Sequence, residues 1–131
     1  MKLQVGVKAL IKQDDTYLFL QRSKEFKDGR CEWDIPGGRI EPEEALHNAL
    51  VREVEEETGM TVLDIGVPLA AQDIFVEQKG MHVVRLTYTV TASGVPTISD
   101  EHESYKWFSL QDILAEPHVD SYLRQVLEEM S

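Results

Sequence analysis

The sequence has little cysteine, little basic charge and no long apolar run, and each of these scarcities excludes a class of protein. Its single cysteine, Cys31, excludes an internal disulfide and indicates a reducing, cytoplasmic compartment. No apolar stretch approaches the roughly 20 residues that a membrane-spanning helix needs, so no membrane partner is expected. The 13 lysines and arginines are outnumbered by 24 acidic residues, and the net charge of −11 argues against a surface that binds a nucleic-acid polymer.

The apolar content is nevertheless sufficient for one folded domain that spans residues 1–131. Hydrophobic residues make up 42% of the chain, and a chain of this length buries roughly two-thirds of its unfolded surface on folding. No internal repeat, low-complexity tract or linker divides the sequence. We expect a monomer or a homodimer.

Alternating apolar residues predict that the chain begins with a β-hairpin. The alternation over residues 3–11 is typical of a half-buried strand, and a turn at 13–15 leads to a second strand at 17–21. After a short apolar segment at 33–35, the glycines of Pro36-Gly37-Gly38 are expected to break regular structure. Further strands are expected at residues 61–67, 69–76, 81–92 and 105–108, and helices at residues 110–115 and 121–130. This order indicates an α+β fold with helices packed on a mixed sheet.

Residues 38–60 predict a loop followed by a helix. The helix is expected to include Pro42 in its first turn and to end at Gly59. Glu43 and Glu44 would complement the positive end of the helix dipole. Apolar residues at positions 45, 46, 49, 50 and 54 form a stripe that packs on the sheet. This packing would turn the acidic residues of the helix toward an opening.

Three of those acidic residues have the spacing of a metal site. Glu53, Glu56 and Glu57 lie at i, i+3 and i+4, so their side chains project from one helix face. Each like-charged pair destabilises a helix by about 0.2–0.5 kcal/mol, and the C-terminal end of the helix dipole disfavours anions as well. A divalent cation would reverse both effects. Mg²⁺ and Mn²⁺ take oxygen ligands from one or two carboxylates and complete their shell with water and substrate phosphates.

The same stretch resembles the Nudix box, G-x5-E-x7-R-E-U-x-E-E-x-G-U, in which U is a bulky apolar residue. Every fixed position is filled, by Gly38, Glu44, Arg52, Glu53, Val54, Glu56, Glu57, Gly59 and Met60. An ordinary acidic surface helix would explain the glutamates but not the spaced glycines and the arginine. The resemblance implies the Nudix fold, an α/β/α sandwich with a mixed β-sheet that carries the loop–helix motif. It also implies a hydrolase of pyrophosphate bonds that depends on Mg²⁺ or Mn²⁺.

The resemblance assigns metal binding to particular residues. Glu53, Glu56 and Glu57 are expected to bind the ion, together with the carbonyl oxygen of Gly37. The general base is expected to be one of these glutamates or an acidic residue of a distant loop. In the acidic segment SDEHES, Glu101 is the candidate metal ligand or base, and an ordinary solvated loop is the alternative.

Three residues are expected to support the glutamates or the substrate. Arg52 lies four residues before Glu56 and is expected to orient carboxylates, and Glu44, two turns earlier, is expected to support the same network. The resemblance implies that Arg22, at the end of the second strand, contacts the substrate, with a solvated strand end as an equal alternative. Of the histidines, His102 is expected to be exposed in its loop, and the other three have no assigned role.

The favoured substrate is a small nucleotide, a nucleoside triphosphate cleaved to the monophosphate and pyrophosphate. A nucleotide sugar or a dinucleoside polyphosphate is the alternative. By the resemblance, Nudix hydrolases of ADP-ribose often have a proline after the box, and its lack in residues 70–80 disfavours the nucleotide sugar. A nucleotide-binding sensor or a protein–protein module would usually have lost box glutamates, and all are present here. Nudix enzymes that act on oxidised guanine nucleotides commonly recognise the purine with an asparagine. The single asparagine here, Asn48, lies within the box helix, and an ionised Asp120 can only accept hydrogen bonds, so we predict modest base discrimination.

Overall fold

A computed structural model of the protein describes residues 1–23 and 32–131. Its elements follow one another as β1 (Lys2–Gln13), β2 (Thr16–Arg22), β3 (Trp33–Asp34), β4 (Gly37–Arg39), α1 (Leu46–Thr58), β5 (Thr61–Val76), a short 3₁₀ helix (Glu77–Lys79), β6 (Met81–Ser93), β7 (His102–Phe108), α2 (Leu110–Leu114) and α3 (Ser121–Met130). Cys31 lies outside the described residues, as does the segment 25–31, for which the polar sequence predicts a loop. Within the described ranges, no helix is both long enough and apolar enough to cross a bilayer.

Strand β1 is central in a mixed sheet of seven strands. It runs parallel to β6, from Lys2 beside Met81 to Ile11 beside Val90, and antiparallel to β2 and β4. Strand β5 pairs with β6, and strands β3 and β7 pair with β2, all in antiparallel orientation. The predicted hairpin of the first two strands and the predicted mixed sheet are both confirmed.

The alternation of side chains in β1 places a hydrophobic core on each face of the sheet. Val7 and Ile11 are buried in one cluster with Leu50 of α1, and Leu10 is buried in the other with Leu123 of α3. Each fully buried side chain of this kind contributes about 1.5–3 kcal/mol. The sheet therefore lies between α1 on one face and α2 and α3 on the other, which confirms the α/β/α sandwich.

The box helix begins later than predicted. It starts at Leu46, so Pro42 precedes the helix and does not occupy its first turn. Glu43 has a φ angle of 68°, a left-handed conformation that an α-helix cannot contain. The N–H of Glu44 donates to the carbonyl of Glu41 at 3.0 Å. A tight turn thus replaces the predicted first helical turn.

The glycines after Pro36 form a strand, contrary to prediction. Strand β4 pairs with β1, and Gly38 lies opposite Val7. A Cβ atom on Gly37 would lie 2.1 Å from the carbonyl oxygen of Val7, so only glycine allows the two backbones to come this close. The missing side chains permit pairing here where they were expected to prevent it.

The remaining differences concern where strands begin and end. Strand β5 is continuous where two segments were predicted, with register shifts on both sides of Pro68. An edge strand tolerates proline because its outer N–H groups need no partner within the sheet. Strand β7 begins earlier than predicted, at His102, which lies opposite Arg22 of β2. The predicted helix end is confirmed, since Gly59 adopts a left-handed conformation with a φ angle of 68°.

Candidate active site

The C-terminal half of α1 and the segment before β7 border an open acidic cavity of about 340 Å³. It is lined by Glu53, Glu56, Glu57, Ser99, Asp100 and Glu101. The three glutamates of the helix reach one cavity because they lie at i, i+3 and i+4. Glu101 joins them from a segment that is distant in sequence. The structure therefore brings together all four carboxylates that were predicted as metal ligands.

Arg52 connects the acidic residues around this cavity. Its guanidinium donates to both carboxylate oxygens of Glu44, at 2.7 and 2.9 Å, to Glu53 at 2.9 Å and to Glu56 at 3.3 Å. Another N–H donates to the carbonyl of Arg39 at 3.2 Å, which ties α1 to β4. Hydrogen bonding to Arg52 is the main cause that lowers the pKa of Glu44 to about 2. The network expected around Arg52 is present, and the catalytic roles of its members remain predictions.

Glu57 is a buried carboxyl group with a raised pKa. Its side chain is 15% exposed, and its Oε2 accepts a hydrogen bond from the N–H of Gly37 at 3.1 Å. Burial raises the pKa of Glu57 to about 8, and Glu53 adds to the rise, while Lys8 and the N–H of Gly37 oppose it. Without an added cation, this carboxyl group therefore holds its proton at neutral pH.

The glycine pair of β4 brings backbone directly against the acidic residues. A Cβ atom on Gly38 would lie 2.8 Å from the carboxylate atoms of Glu53, and the backbone of Gly37 already contacts Glu57. A residue with a side chain at position 38 would push Glu53 away from its present place. The carbonyl of Gly37, predicted as a metal ligand, belongs to the same short strand.

The residues of the acidic cavity suit a hard divalent cation. The glutamate and aspartate side chains of this cavity offer carboxylate oxygens, which Mg²⁺ and Mn²⁺ prefer as ligands. A cation beside Glu57 would also offset the burial and like-charge repulsion that raise its pKa. In the described ranges 1–23 and 32–131, no three His, Cys, Asp or Glu side chains already surround one point closely enough to hold an ion. Arg52 holds Glu53 and Glu56, so these side chains would have to rotate toward a bound ion.

A second cavity, of about 220 Å³, is basic and adjoins the acidic one. It is lined by Gln4, Val5, Gly6, Val7, Lys8, Arg22, Gly37, Gly38, Arg39, Val83 and Arg85. Because Gly37 and Gly38 line this cavity and also touch the acidic residues, the two cavities share a wall. Sequence reasoning identified Arg22 but missed Lys8 and Arg85. Lys8 and Arg85 each lie between two apolar neighbours in a strand, and no spacing in the sequence links the two residues.

Two ion pairs position Lys8 and Arg85, the two cations that were not identified from the sequence. The Nζ atom of Lys8 lies 3.2 Å from Oδ2 of Asp34, and Nη1 of Arg85 lies 3.1 Å from Oδ2 of Asp120. The same oxygen of Asp120 accepts from the N–H of Leu123 at 2.9 Å and so caps α3. Burial alone would raise the pKa of Asp34, but the charges of Lys8 and Arg85 hold that pKa below its usual range. The charges of Lys8 and Arg85 therefore favour the ionised form of Asp34.

His102 is buried, although it was expected to be exposed. It is 8% exposed because β7 begins there and pairs with Arg22. Its Nε2 lies 4.0 Å from Oε1 of Glu57. Burial and the charge of Arg22 lower the pKa of His102, which favours the neutral ring. Arg22 also lines the basic cavity, and its buried Nε atom has no hydrogen-bond partner within the described part of the chain.

Comparison with known proteins gives matches over nearly the whole chain. The NUDIX domain family matches residues 2–130. A CTP pyrophosphohydrolase of Escherichia coli (strain K12) is 30% identical over 122 residues, which cover 89% of this chain and 84% of that protein. A nudix hydrolase of Caenorhabditis elegans is 33% identical over 104 residues, which cover 78% of this chain but only 27% of that protein. The crystal structure of a MutT NUDIX hydrolase from Burkholderia pseudomallei is similar with a TM-score of 0.86 and 29% identity, and the match covers 100% of both chains.

Proposed function

The chain belongs to the NUDIX family and is a pyrophosphohydrolase, and we propose that it hydrolyses a nucleoside triphosphate to the monophosphate and pyrophosphate with Mg²⁺ or Mn²⁺. One observation carries this proposal: Gly37 and Gly38 line the basic cavity and lie directly against Glu57 and Glu53 of the acidic cavity, so they form a wall between the two. The acidic cavity suits the metal ion, and the basic cavity suits an anionic nucleotide. A nucleoside triphosphate that spans this wall would have its nucleoside in the basic cavity and its outer phosphates at the glutamates.

The charge distribution supports a nucleotide substrate despite the net charge of −11. Four cations, from Lys8, Arg22, Arg39 and Arg85, line the basic cavity. They create a local positive field that attracts an anion to a chain which is acidic as a whole. Divalent cations bound to the phosphates would further reduce repulsion by the glutamates.

Hydrolysis of a pyrophosphate bond needs a positioned water, charge neutralisation on the phosphate oxygens and a leaving group in line. A divalent ion supplies the neutralisation and lowers the pKa of the attacking water. Arg52 holds Glu53 and Glu56 beside the cavity through its hydrogen bonds, from where their side chains would rotate onto the ion. Glu101 reaches the same cavity from another segment and is therefore a candidate, beside the box glutamates, to accept the proton of the water.

A single small nucleotide is favoured over larger substrates. The basic cavity of about 220 Å³ is small for a ligand site. A nucleotide sugar or a dinucleoside polyphosphate would have to leave its second group outside this cavity, so these compounds are the second candidates. The relative that is a CTP pyrophosphohydrolase places CTP among the first triphosphates to test.

The test is product analysis on a panel of substrates with Mg²⁺. The panel contains the common ribonucleoside and deoxyribonucleoside triphosphates, ADP-ribose and a diadenosine polyphosphate. We expect equal amounts of monophosphate and pyrophosphate from at least one triphosphate. Glu56→Gln should abolish most of this turnover. Glu55→Gln is the matched control, because Glu55 is an exposed residue of the same helix outside the acidic cavity, and it should leave turnover unchanged.

Two results would contradict the proposal. Nucleotide binding without turnover of any panel member would indicate a nucleotide-binding sensor in place of an enzyme. Faster turnover of ADP-ribose or the diadenosine compound than of every triphosphate would favour the second candidates.

A further inference from the structure

We propose that Lys8 binds the substrate phosphate nearest the nucleoside, at the wall between the two cavities; this inference rests on the proposed function. Lys8 lies in β1, in register with Gly37 of β4. Its Cδ atom is 2.8 Å from the point where a Cβ atom on Gly37 would lie. The side chain of Lys8 therefore packs against Gly37, whose N–H donates a hydrogen bond to Glu57.

The ammonium group of Lys8 has hydrogen-bonding capacity beyond its contacts within the protein. An ammonium carries three N–H donors. Two are directed to Oδ2 of Asp34 and to the carbonyl oxygen of Ile35, both at 3.2 Å. Among residues 1–23 and 32–131, no acceptor is assigned to the third donor. Because Lys8 lines the basic cavity, a phosphate oxygen in that cavity can accept it.

The position of Lys8 determines which phosphate it reaches. Its side chain lines the basic cavity and passes beside Gly37, whose N–H donates to Glu57, so Lys8 lies at the boundary between the basic cavity and the acidic residues. A triphosphate with its nucleoside in the basic cavity and its outer phosphates at the glutamates would place its first phosphate at this boundary. Lys8 would stay with the monophosphate product, whereas pyrophosphate would leave from the acidic cavity.

The experiment compares Lys8→Met with Lys12→Met by product inhibition. Lys12 lies on the same strand and is exposed at its far end, so it controls for the loss of one positive charge from β1. The wild type and both variants hydrolyse CTP, or another triphosphate from the panel, in the presence of its monophosphate or pyrophosphate. Lys8→Met should raise the inhibition constant of the monophosphate about 10–100-fold, the range for a hydrogen bond to a charged group. The constant for pyrophosphate should change less than threefold, and Lys12→Met should change neither.

The split between the two products separates phosphate binding from a structural role. If Lys8 only supported the fold, both inhibition constants would rise together or neither would change, and either result would overturn the inference. If the wild type itself hydrolyses no triphosphate, the proposed function fails first. If the wild type is active and Lys8→Met matches Lys12→Met, only the inference about Lys8 fails.

A second comparison keeps the test decisive if Lys8→Met does not fold. Removing Lys8 alone leaves the carboxylate of Asp34 buried beside one fewer cation. The double variant Lys8→Met/Asp34→Asn removes that unpaired charge and is compared with Asp34→Asn alone, so that the two proteins differ only at position 8. The double variant should again bind the monophosphate about 10–100-fold more weakly than Asp34→Asn. Equal monophosphate inhibition of the two variants would overturn the inference.

Discussion

At the scale of single residues, the pKa values of two carboxyl groups near the acidic cavity, those of Glu44 and Glu57, are shifted in opposite directions. Arg52 forms bidentate hydrogen bonds with Glu44 and lowers the pKa of that carboxyl group to about 2. Among the described residues, no arginine contacts Glu57, and burial raises the pKa of Glu57 to about 8. The protein thus holds Glu44 in its ionised form and leaves Glu57 as a carboxyl group that gains stability from an added cation.

The raised pKa of Glu57 predicts how stability without metal depends on pH. In the folded state this group keeps its proton up to about pH 8, whereas in the unfolded chain it loses it near its ordinary value of 4.5. The folded state therefore binds more protons between these values, and this group lowers stability as pH rises through that window. Glutamine imitates the protonated carboxyl, so Glu57→Gln should match the wild type near pH 4 and be more stable at pH 9.

The measurement is the free energy of unfolding by urea in chelator, from pH 4 to pH 9, for the wild type, Glu57→Gln and Glu55→Gln. The gain of Glu57→Gln over the wild type should grow with pH to at most a few kcal/mol. Glu55→Gln should show no such growth. A gain for Glu57→Gln that is constant over the whole range, or a loss at pH 9, would contradict the account of this carboxyl group.

At the scale of elements, the short strand β4 connects the sheet to the acidic helix. Its two glycines face different neighbours. A Cβ atom on Gly37 would meet the backbone of Val7 at 2.1 Å, whereas one on Gly38 would meet the side chain of Glu53 at 2.8 Å. Backbone in a paired strand cannot move aside easily, but the end of a glutamate side chain can. Alanine at the two positions should therefore have different effects.

Gly38→Ala should keep the fold and lose activity. The added methyl group displaces the carboxylate of Glu53, and a misplacement of about 1 Å near reacting groups can lower a rate about 100-fold. Its midpoint of thermal unfolding in chelator should stay within a few degrees of the wild type. Gly37→Ala should instead lower that midpoint strongly, because β4 can no longer pair closely with β1. Unfolding midpoints and turnover numbers check both effects, and a Gly38→Ala enzyme with full activity would contradict the placement of Glu53.

At the scale of the whole molecule, the sequence predicts those parts of the site that depend on local periodicity. Glu53, Glu56 and Glu57 share a face because the helix repeat is local, and the same repeat places Arg52 beside Glu56. The turn at Glu43 was missed because the side chain of Glu44 is held by Arg52, eight residues away. That contact competes with the helical propensity of the segment.

The basic cavity could not be predicted from spacing because tertiary pairing assembles it. Lys8 and Arg85 come together through the parallel contact of β1 with β6, and nothing in the sequence specifies that pairing. Arg22 was identified only from the resemblance. The burial of His102 likewise follows from the pairing of β7 with β2, which the acidic composition of its segment does not indicate.

The most direct test of the metal-dependent site is turnover of a triphosphate by the wild type as Mg²⁺ is titrated from excess chelator to millimolar concentration. The account predicts no turnover in chelator, a saturable rise with free Mg²⁺, and release of pyrophosphate and monophosphate in equal amounts. Glu56→Gln should stay near the background throughout, while Glu55→Gln follows the wild type. Full turnover in excess chelator would contradict the assignment of the acidic cavity to a metal ion.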